Sequence, residues 1–432
     1  MDIQSNELLA KIASNVEARK DELIALVAKL IGFPSVSPPA RNTNEIQKFI
    51  EEFLGDLGFK TDKWDVYPGD PNIVGVLPGK SSENYKSLIL NGHVDVAEVG
   101  DDKEWTAPPF AANVVEPYLY GRGAADMKGG IAAALMAVKI LKELGVTLQG
   151  DLQFQSVIGE EAGEAGTLSC TERGYTADFA VVVDTSDLHI QGQGGVITGW
   201  IVIQSKETFH DGIRSKMIHA GGGVKGASAI EKMTKIIGGL QELERHWAVT
   251  KNYPGFAPGS NTINPAVIEG GRHAAFIADR CALWVTVHFY PNEDYEDVIK
   301  EIEEHIGCVA AADPWLRENP PEFIWGGRSM IVDRGEIFPS LQIDPGHPGI
   351  RCLADSYEKL LTQKPEVGMS PTVTDAGWLG RAGIPTAIFG PGKLEDAHAV
   401  DEKVEIRQLL DFTKVLALFI ARWCNTEKEE QE

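Results

Sequence analysis

The stretch Gly121-Arg122-Gly123-Ala124-Ala125-Asp126-Met127-Lys128-Gly129-Gly130 limits what this chain can fold into more than any other. One carboxylate sits in a glycine-rich turn, and an apolar, alanine-rich run over 131–141 follows directly. The pattern predicts a tight loop feeding a buried helix. Gly123, Gly129 and Gly130 permit backbone angles that a Cβ resists, so Asp126 can be held in a turn that faces a cavity. An acidic residue at the start of a helix is common in its own right. The loop therefore needs partners elsewhere in the chain before it indicates a site.

Around this loop, short apolar runs over 73–77, 88–91, 152–158, 179–183 and 386–389 predict buried strands. Helical periodicity covers 6–31, 44–57, 131–144, 349–361 and 404–423. Strands alternating with helices predict an α/β layered domain with a largely parallel sheet. Near residue 195 the pattern changes. A strand over 196–204, a helix over 226–246, strands over 261–269 and 281–290 and a helix over 293–306 follow. This β-α-β-β-α order is that of a small ferredoxin-like unit, and it interrupts the first pattern. The expected division is a catalytic domain in two parts, 1–194 and 317–432, around an insertion over 195–316.

At 432 residues with 43% hydrophobic, the chain is long enough for two cores. A formal net charge of -23 argues against nucleic acid and anionic membrane surfaces as partners. Cys170, Cys281, Cys308, Cys352 and Cys424 show no CxxC spacing, which fits reduced thiols. No apolar run approaches the ~20 residues of a bilayer span, and the first residues lack a basic-then-apolar signal pattern. A soluble, cytoplasmic protein is expected.

Four of the predicted strands share one feature: each leads into an acid or an imidazole. His93 and Asp95 follow the run over 88–91, Glu160 and Glu161 the run over 152–158, Asp184 the run over 179–183, and His398 the run over 386–389. Sites in open α/β sheets form outside the carboxyl ends of the strands, so these groups can converge with Asp126. Two histidines and several carboxylates without cysteine make a ligand set for zinc or a similar divalent ion. A carboxylate can bridge two such ions about 3.5–4 Å apart.

These residues carry a resemblance. Gly92-His93-Val94-Asp95, Trp105 with Pro108-Pro109-Phe110, Tyr120-Gly121-Arg122-Gly123 through Asp126-Met127-Lys128-Gly129-Gly130, Glu160-Glu161-Ala162-Gly163, and Gly390-Pro391-Gly392 with Ala397-His398 occur in that order. Together they resemble the zinc-dependent family of aminoacylase, acetylornithine deacetylase, succinyl-diaminopimelate desuccinylase and carboxypeptidase G. The resemblance implies a phosphorylase/hydrolase-like zinc-peptidase domain with a mostly parallel mixed sheet, plus a ferredoxin-like α+β insertion serving as lid or dimerisation domain. It implies two Zn2+ per subunit, with Co2+ or Mn2+ as substitutes, a homodimer, and a small N-acylated amino acid or peptide-like substrate.

The same resemblance implies roles. His93 pairs with Asp184 on one ion and Glu161 with His398 on the other, while Asp126 bridges both. Asp95 holds the second ring nitrogen of His93, and Glu160 is the general base. His219 assists the oxyanion from the lid, Asn261 and His288 contact substrate, and the loop at Gly392 cradles a substrate carboxylate through its N–H groups. Two departures stand out. His288 occupies the position where many relatives carry an arginine that grips the substrate carboxylate. Thr185-Ser186-Asp187 replaces the usual Glu-Pro-Thr, which makes Asp187 a rival ligand to Asp184. The expected activity is hydrolysis of an N-acyl amino acid by a metal-activated water, as in acetylornithine deacetylase. The alternatives are a dipeptidase or carboxypeptidase of the same family, and a metal-free binding protein.

Overall fold

Residues 88–93 read Leu-Ile-Leu-Asn-Gly-His, and both faces of this strand are buried. The computed structural model, which describes residues 6–213 and 226–429, shows why. Leu88 and Leu90 join one hydrophobic cluster and Ile89 joins another. The alternation is the period of two expected of a strand covered on both sides.

Strands are numbered along the chain. β1 is Lys60–Tyr67, β2 Asp70–Leu77, β3 Leu88–His93, β4 Asn113–Val115, β5 Tyr118–Tyr120, β6 Leu152–Val157, β7 Phe179–Val182 and β8 Ile190–Gln193. β9 is Gly195–Gln204, β10 Thr262–Gly270, β11 Arg280–Phe289, β12 Glu322–Trp325, β13 Ile337–Phe338, β14 Val367–Ser370, β15 Thr386–Ile388 and β16 Lys403–Glu405. The chain divides into two units, Met1–Gln193 with Leu341–Glu432, and Gly194–Ser340.

The first unit holds an eight-stranded sheet in the order β1-β2-β6-β3-β7-β15-β8-β14. β6, β3, β7 and β15 run parallel to one another, as do β8 and β14. The pairs β1–β2, β2–β6 and β15–β8 are antiparallel, so the sheet is mixed. The helices Lys128–Glu143 and Ile406–Trp423 fill the larger cluster on one face, with Asn6–Ala18, Lys20–Ile31, Asn44–Leu57 and Pro348–Leu361 around them. Gly166–Glu172 and Ala376–Arg381 contribute to the smaller clusters. The run over 6–31, expected as one helix, is two helices that meet at Arg19. The apolar series has a gap over 17–22, and the helix breaks there. β5 also pairs with β4 and β16 in a small antiparallel sheet. That pairing sets Lys403 opposite Tyr120, beside the start of the glycine-rich loop.

The second unit is an antiparallel sheet in the order β10-β11-β9-β12, with β13 also on β9. The helices Ala229–Thr250 and Tyr295–Ala311 bury their apolar stripes against it. The β-α-β-β-α-β order is that of a ferredoxin-like unit. It extends to Ser340 rather than ending at 316, because β12 and β13 complete its sheet against β9.

Candidate metal centre

The carboxyl ends of β3, β6 and β7 lie side by side, and each releases a polar group. β3 ends at His93. After β6, Gly159 at φ 80° and Gly163 at φ 57° bracket a short 3-10 turn, Glu160–Ala162. Both glycines sit in the left-handed region, which costs other residues more. Asp184 follows β7 by two residues. Asp126 is delivered by the glycine-rich loop, whose helix starts hard against the end of β7. A Cβ on Gly130 would lie 2.0 Å from the Val183 oxygen. His398, at φ 58°, comes from the loop ahead of β16.

Five of the expected ligands meet here. Asp126 presents Oδ1 to His93 Nε2 at 3.3 Å and Oδ2 to His398 Nε2 at 3.3 Å. His398 Nε2 also lies 2.8 Å from Glu161 Oε2. Glu160 Oε2 and Asp184 Oδ2 approach His93 Nε2 at 3.8 and 3.9 Å. Donor atoms of His93, Asp126 and Glu161 all fall within 4.8 Å of one another. Other expectations are corrected. The Asp95 carboxylate does not hold His93. The Asp95 main-chain oxygen lies 3.1 Å from His93 Nδ1, while the carboxylate accepts from the N–H groups of Gly159 at 2.8 Å and Glu161 at 3.1 Å. A carbonyl only accepts, so Nδ1 carries a proton and Nε2 is the ring nitrogen turned to the carboxylates.

Asp187 is not a competing ligand. Gln408 Nε2 donates to its side chain, and its own N–H donates to the Gly392 oxygen at 2.8 Å. The Gly392 N–H is not free to cradle a carboxylate either, because it donates to Gln408 Oε1 at 2.8 Å. In the second unit, buried Asn261 donates through Nδ2 to Glu293 Oε2 at 2.6 Å. His288 is exposed on β11. His219 lies outside the described residues.

Four carboxylates face two imidazoles, and the electrostatics follow from that excess. Burial pushes Asp184 up to about 8, with the Asp126 charge adding to it. Burial also holds the Glu160 carboxyl well above its ordinary value against the opposing charge of His93, and Glu161 and Asp184 add to the shift. Hydrogen bonds to Asp126 and Glu161 raise His398 to about 11. Burial opposes a charge on His93, yet the carboxylates of Asp126, Glu160 and Asp184 close to Nε2 lift its pKa well above the ordinary value. Without an ion the carboxylates are balanced only by protons held on these groups. His93 Nε2 is buried without a hydrogen-bonded partner of its own. A buried ring nitrogen without a partner, set among carboxylates, fits a divalent cation in both charge and donor type.

Sequence reasoning missed Glu402 and Arg122, which are fully buried beneath the loop. The Glu402 carboxylate accepts the N–H groups of Gly123, Ala125 and Asp126 at 3.0, 2.8 and 3.0 Å and Arg122 Nη1 at 2.7 Å. The one signal was its place four residues after His398 and one before a short strand. Asp375 was missed as well. It is buried, accepts the Thr167 hydroxyl at 2.8 Å, and contributes charge at Glu160.

A profile of peptidase family M20/M25/M40 matches residues 89–422. The chain belongs to this family. It is 60% identical over 425 residues to the N-formyl-4-amino-5-aminomethyl-2-methylpyrimidine deformylase of Bacillus subtilis, covering 98% of this chain and 100% of that one. The enzyme of the same name from Halalkalibacterium halodurans is 59% identical over 421 residues, covering 98% and 99%. An M20 metallo-carboxypeptidase of Sulfolobus solfataricus shares the fold at a TM-score of 0.73 and 17% identity, over 93% of this chain and 99% of that one. This M20 chain is an amide-hydrolysing enzyme with a candidate metal site at the carboxyl ends of its parallel strands. The metal-free binding protein is set aside. No helix among the described residues is long and apolar enough to cross a membrane.

Proposed function

We propose that this M20 enzyme deformylates an N-formyl aminomethylpyrimidine, yielding formate and the free amine. The observation that carries the reading is 60% identity to a deformylase named for that substrate, over 98% of this chain and 100% of the other. Two features of the chain support it. Such a substrate has no carboxylate, and His288 stands where the family resemblance implies an arginine that grips a substrate carboxylate. The Gly392 N–H, a candidate carboxylate cradle, is already taken by Gln408.

His93 and Asp184 would hold one ion, Glu161 and His398 a second, with one Asp126 oxygen turned to each. The histidine and carboxylate donors suit zinc. Such ions, when bound, polarise a carbonyl and acidify water. Glu160 is the proton carrier. Its carboxylate takes a proton from the attacking water and delivers it to the leaving nitrogen as the formamide C–N bond breaks. Burial raises its pKa, which makes its carboxylate a stronger base. Asp95 orients Glu160 and Glu161 by holding the N–H groups of their turn.

The test is a substrate comparison with the zinc-loaded protein, following formate or amine release. The formyl aminopyrimidine is expected to exceed N-acetylornithine and simple dipeptides by roughly 100-fold or more in kcat/KM, at least the discrimination that pocket shape alone supplies. The reverse ranking would restore the N-acyl amino acid as substrate.

A further inference from the structure

The loop that carries Asp126 and the loop that carries His398 are joined through one buried ion pair. Glu402 is 0% exposed and Arg122 1%. Oε1 of Glu402 accepts the N–H groups of Ala125 and Asp126, and Oε2 accepts that of Gly123 together with Arg122 Nη1. The other arm of the guanidinium, Nη2, donates to the main-chain oxygens of His398 at 3.2 Å and Glu98 at 2.8 Å. The Glu402 main-chain oxygen accepts the Gly121 N–H at 2.8 Å, continuing the β5–β16 ladder. A buried ion pair adds little stability over apolar residues of the same size. Its geometry has a clearer consequence. The planar fork of an arginine holds two partners at fixed separation, and here they are the segments that supply Asp126 and His398.

We propose that Glu402 and Arg122 are positioning residues that set the spacing between Asp126 and His398, and so the affinity of the ion held by Glu161 and His398. The inference rests on the cluster being a two-metal centre. It does not depend on the substrate. Neither residue touches an ion or the reacting atoms. Glu402→Gln keeps the size and one acceptor but turns an NH2 group towards backbone donors. Arg122→Lys keeps the charge but cannot span Glu402 and the His398 oxygen together.

The experiment uses the full chain stripped by chelator and titrated with Co2+, followed by visible absorption and chelator competition. Wild-type protein is expected to take up two ions in two steps. In both variants the step assigned to Glu161 and His398 weakens 10- to 100-fold, the usual cost of disturbing what orients a ligand. The other step weakens less. Glu402→Gln also lowers the unfolding midpoint in chelator, because a buried NH2 faces backbone donors and Arg122 loses its carboxylate, so the readout is the difference between the two steps. kcat falls at limiting Co2+ and recovers at high Co2+, with KM little changed. Two wild-type affinities in both variants would overturn the proposal. So would equal weakening of both steps, which marks a general structural role. If Glu402→Gln does not fold, Arg122→Lys decides alone. A wild-type protein that takes up no Co2+ would overturn the metal reading and this inference together. Two-step uptake without formamide hydrolysis would count against the substrate alone.

Discussion

The main-chain oxygen of Asp95, not its carboxylate, lies closest to Nδ1 of His93, at 3.1 Å against 3.7 Å. The carboxylate is committed to the N–H groups of Gly159 and Glu161. The main chain of Asp95 therefore fixes the His93 tautomer, and its side chain fixes the turn that carries both glutamates.

Asp95→Asn separates these two jobs. The carbonyl towards His93 is retained, while one carboxylate oxygen becomes a donor facing an N–H. The expected result is a stability loss of about 1–3 kcal/mol from the buried mismatch, read as a shift in denaturant midpoint. Affinity for the ion beside Glu161 should fall more than affinity for the ion beside His93, measured by chelator competition. Equal loss at both sites would return the carboxylate to His93.

Glu160→Gln tests the proton carrier. Glu160 Oε2 is 3.8 Å from His93 Nε2, farther than the Asp126 oxygen at 3.3 Å. The variant should keep two ions per chain by elemental analysis and lose roughly 10²- to 10⁴-fold in kcat. Turnover close to wild type would remove Glu160 from that role.

The groups gathered at the sheet edge were legible because each follows an apolar run, and a run can be read without knowing its neighbours. His93, Glu161, Asp184 and His398 all have that signature. Glu402 does not. It lies in Asp401-Glu402-Lys403, where three consecutive charges ordinarily mean solvent, and its burial depends on the β5–β16 pairing. β1 was illegible for a related reason. It is an edge strand whose exposed Thr61, Lys63 and Asp65 alternate with half-buried Asp62, Trp64 and Val66, so it has no apolar run. The insertion was cut short at 316 because β12 and β13 have only four and two residues. The Gly392 cradle failed on a contact from a distant helix, Gln408, which no local pattern could reveal.

Metal affinity should rise with pH. Without an ion, Asp184 is held up at about 8 and His398 at about 11, so both carry protons at neutral pH. An ion must displace those protons, and each one displaced makes apparent affinity climb about tenfold per pH unit. The stability of the stripped fold runs the opposite way. Groups raised above their unfolded values stabilise the stripped fold at low pH and lose that contribution as pH climbs through the folded values. The Asp184 contribution is lost between about 4 and 8. The gap in Tm between metal-loaded and chelator-treated protein should therefore widen from pH 6 to pH 8, checked by thermal scans in matched buffers. A gap that narrows over this range would contradict the carboxylate-rich reading of the cluster.

Two glycine-to-alanine changes should move stability in opposite directions. At Gly130 a Cβ would meet the Val183 oxygen at 2.0 Å. That oxygen is backbone at the end of β7, one residue before Asp184, and cannot rotate away. Gly130→Ala is expected to cost about 1–3 kcal/mol or more by overpacking, and to weaken the ion beside Asp184 as the strand end shifts. At Gly238, within the helix Ala229–Thr250, a Cβ meets nothing within 4 Å. Gly238→Ala should add about 0.5–1 kcal/mol through helix propensity and leave metal uptake and kcat unchanged. Denaturant midpoints of the two variants, measured with and without metal, check both. A Gly130→Ala protein as stable as wild type would mean that the helix start is not locked against β7, and the placement of Asp126 would need another cause.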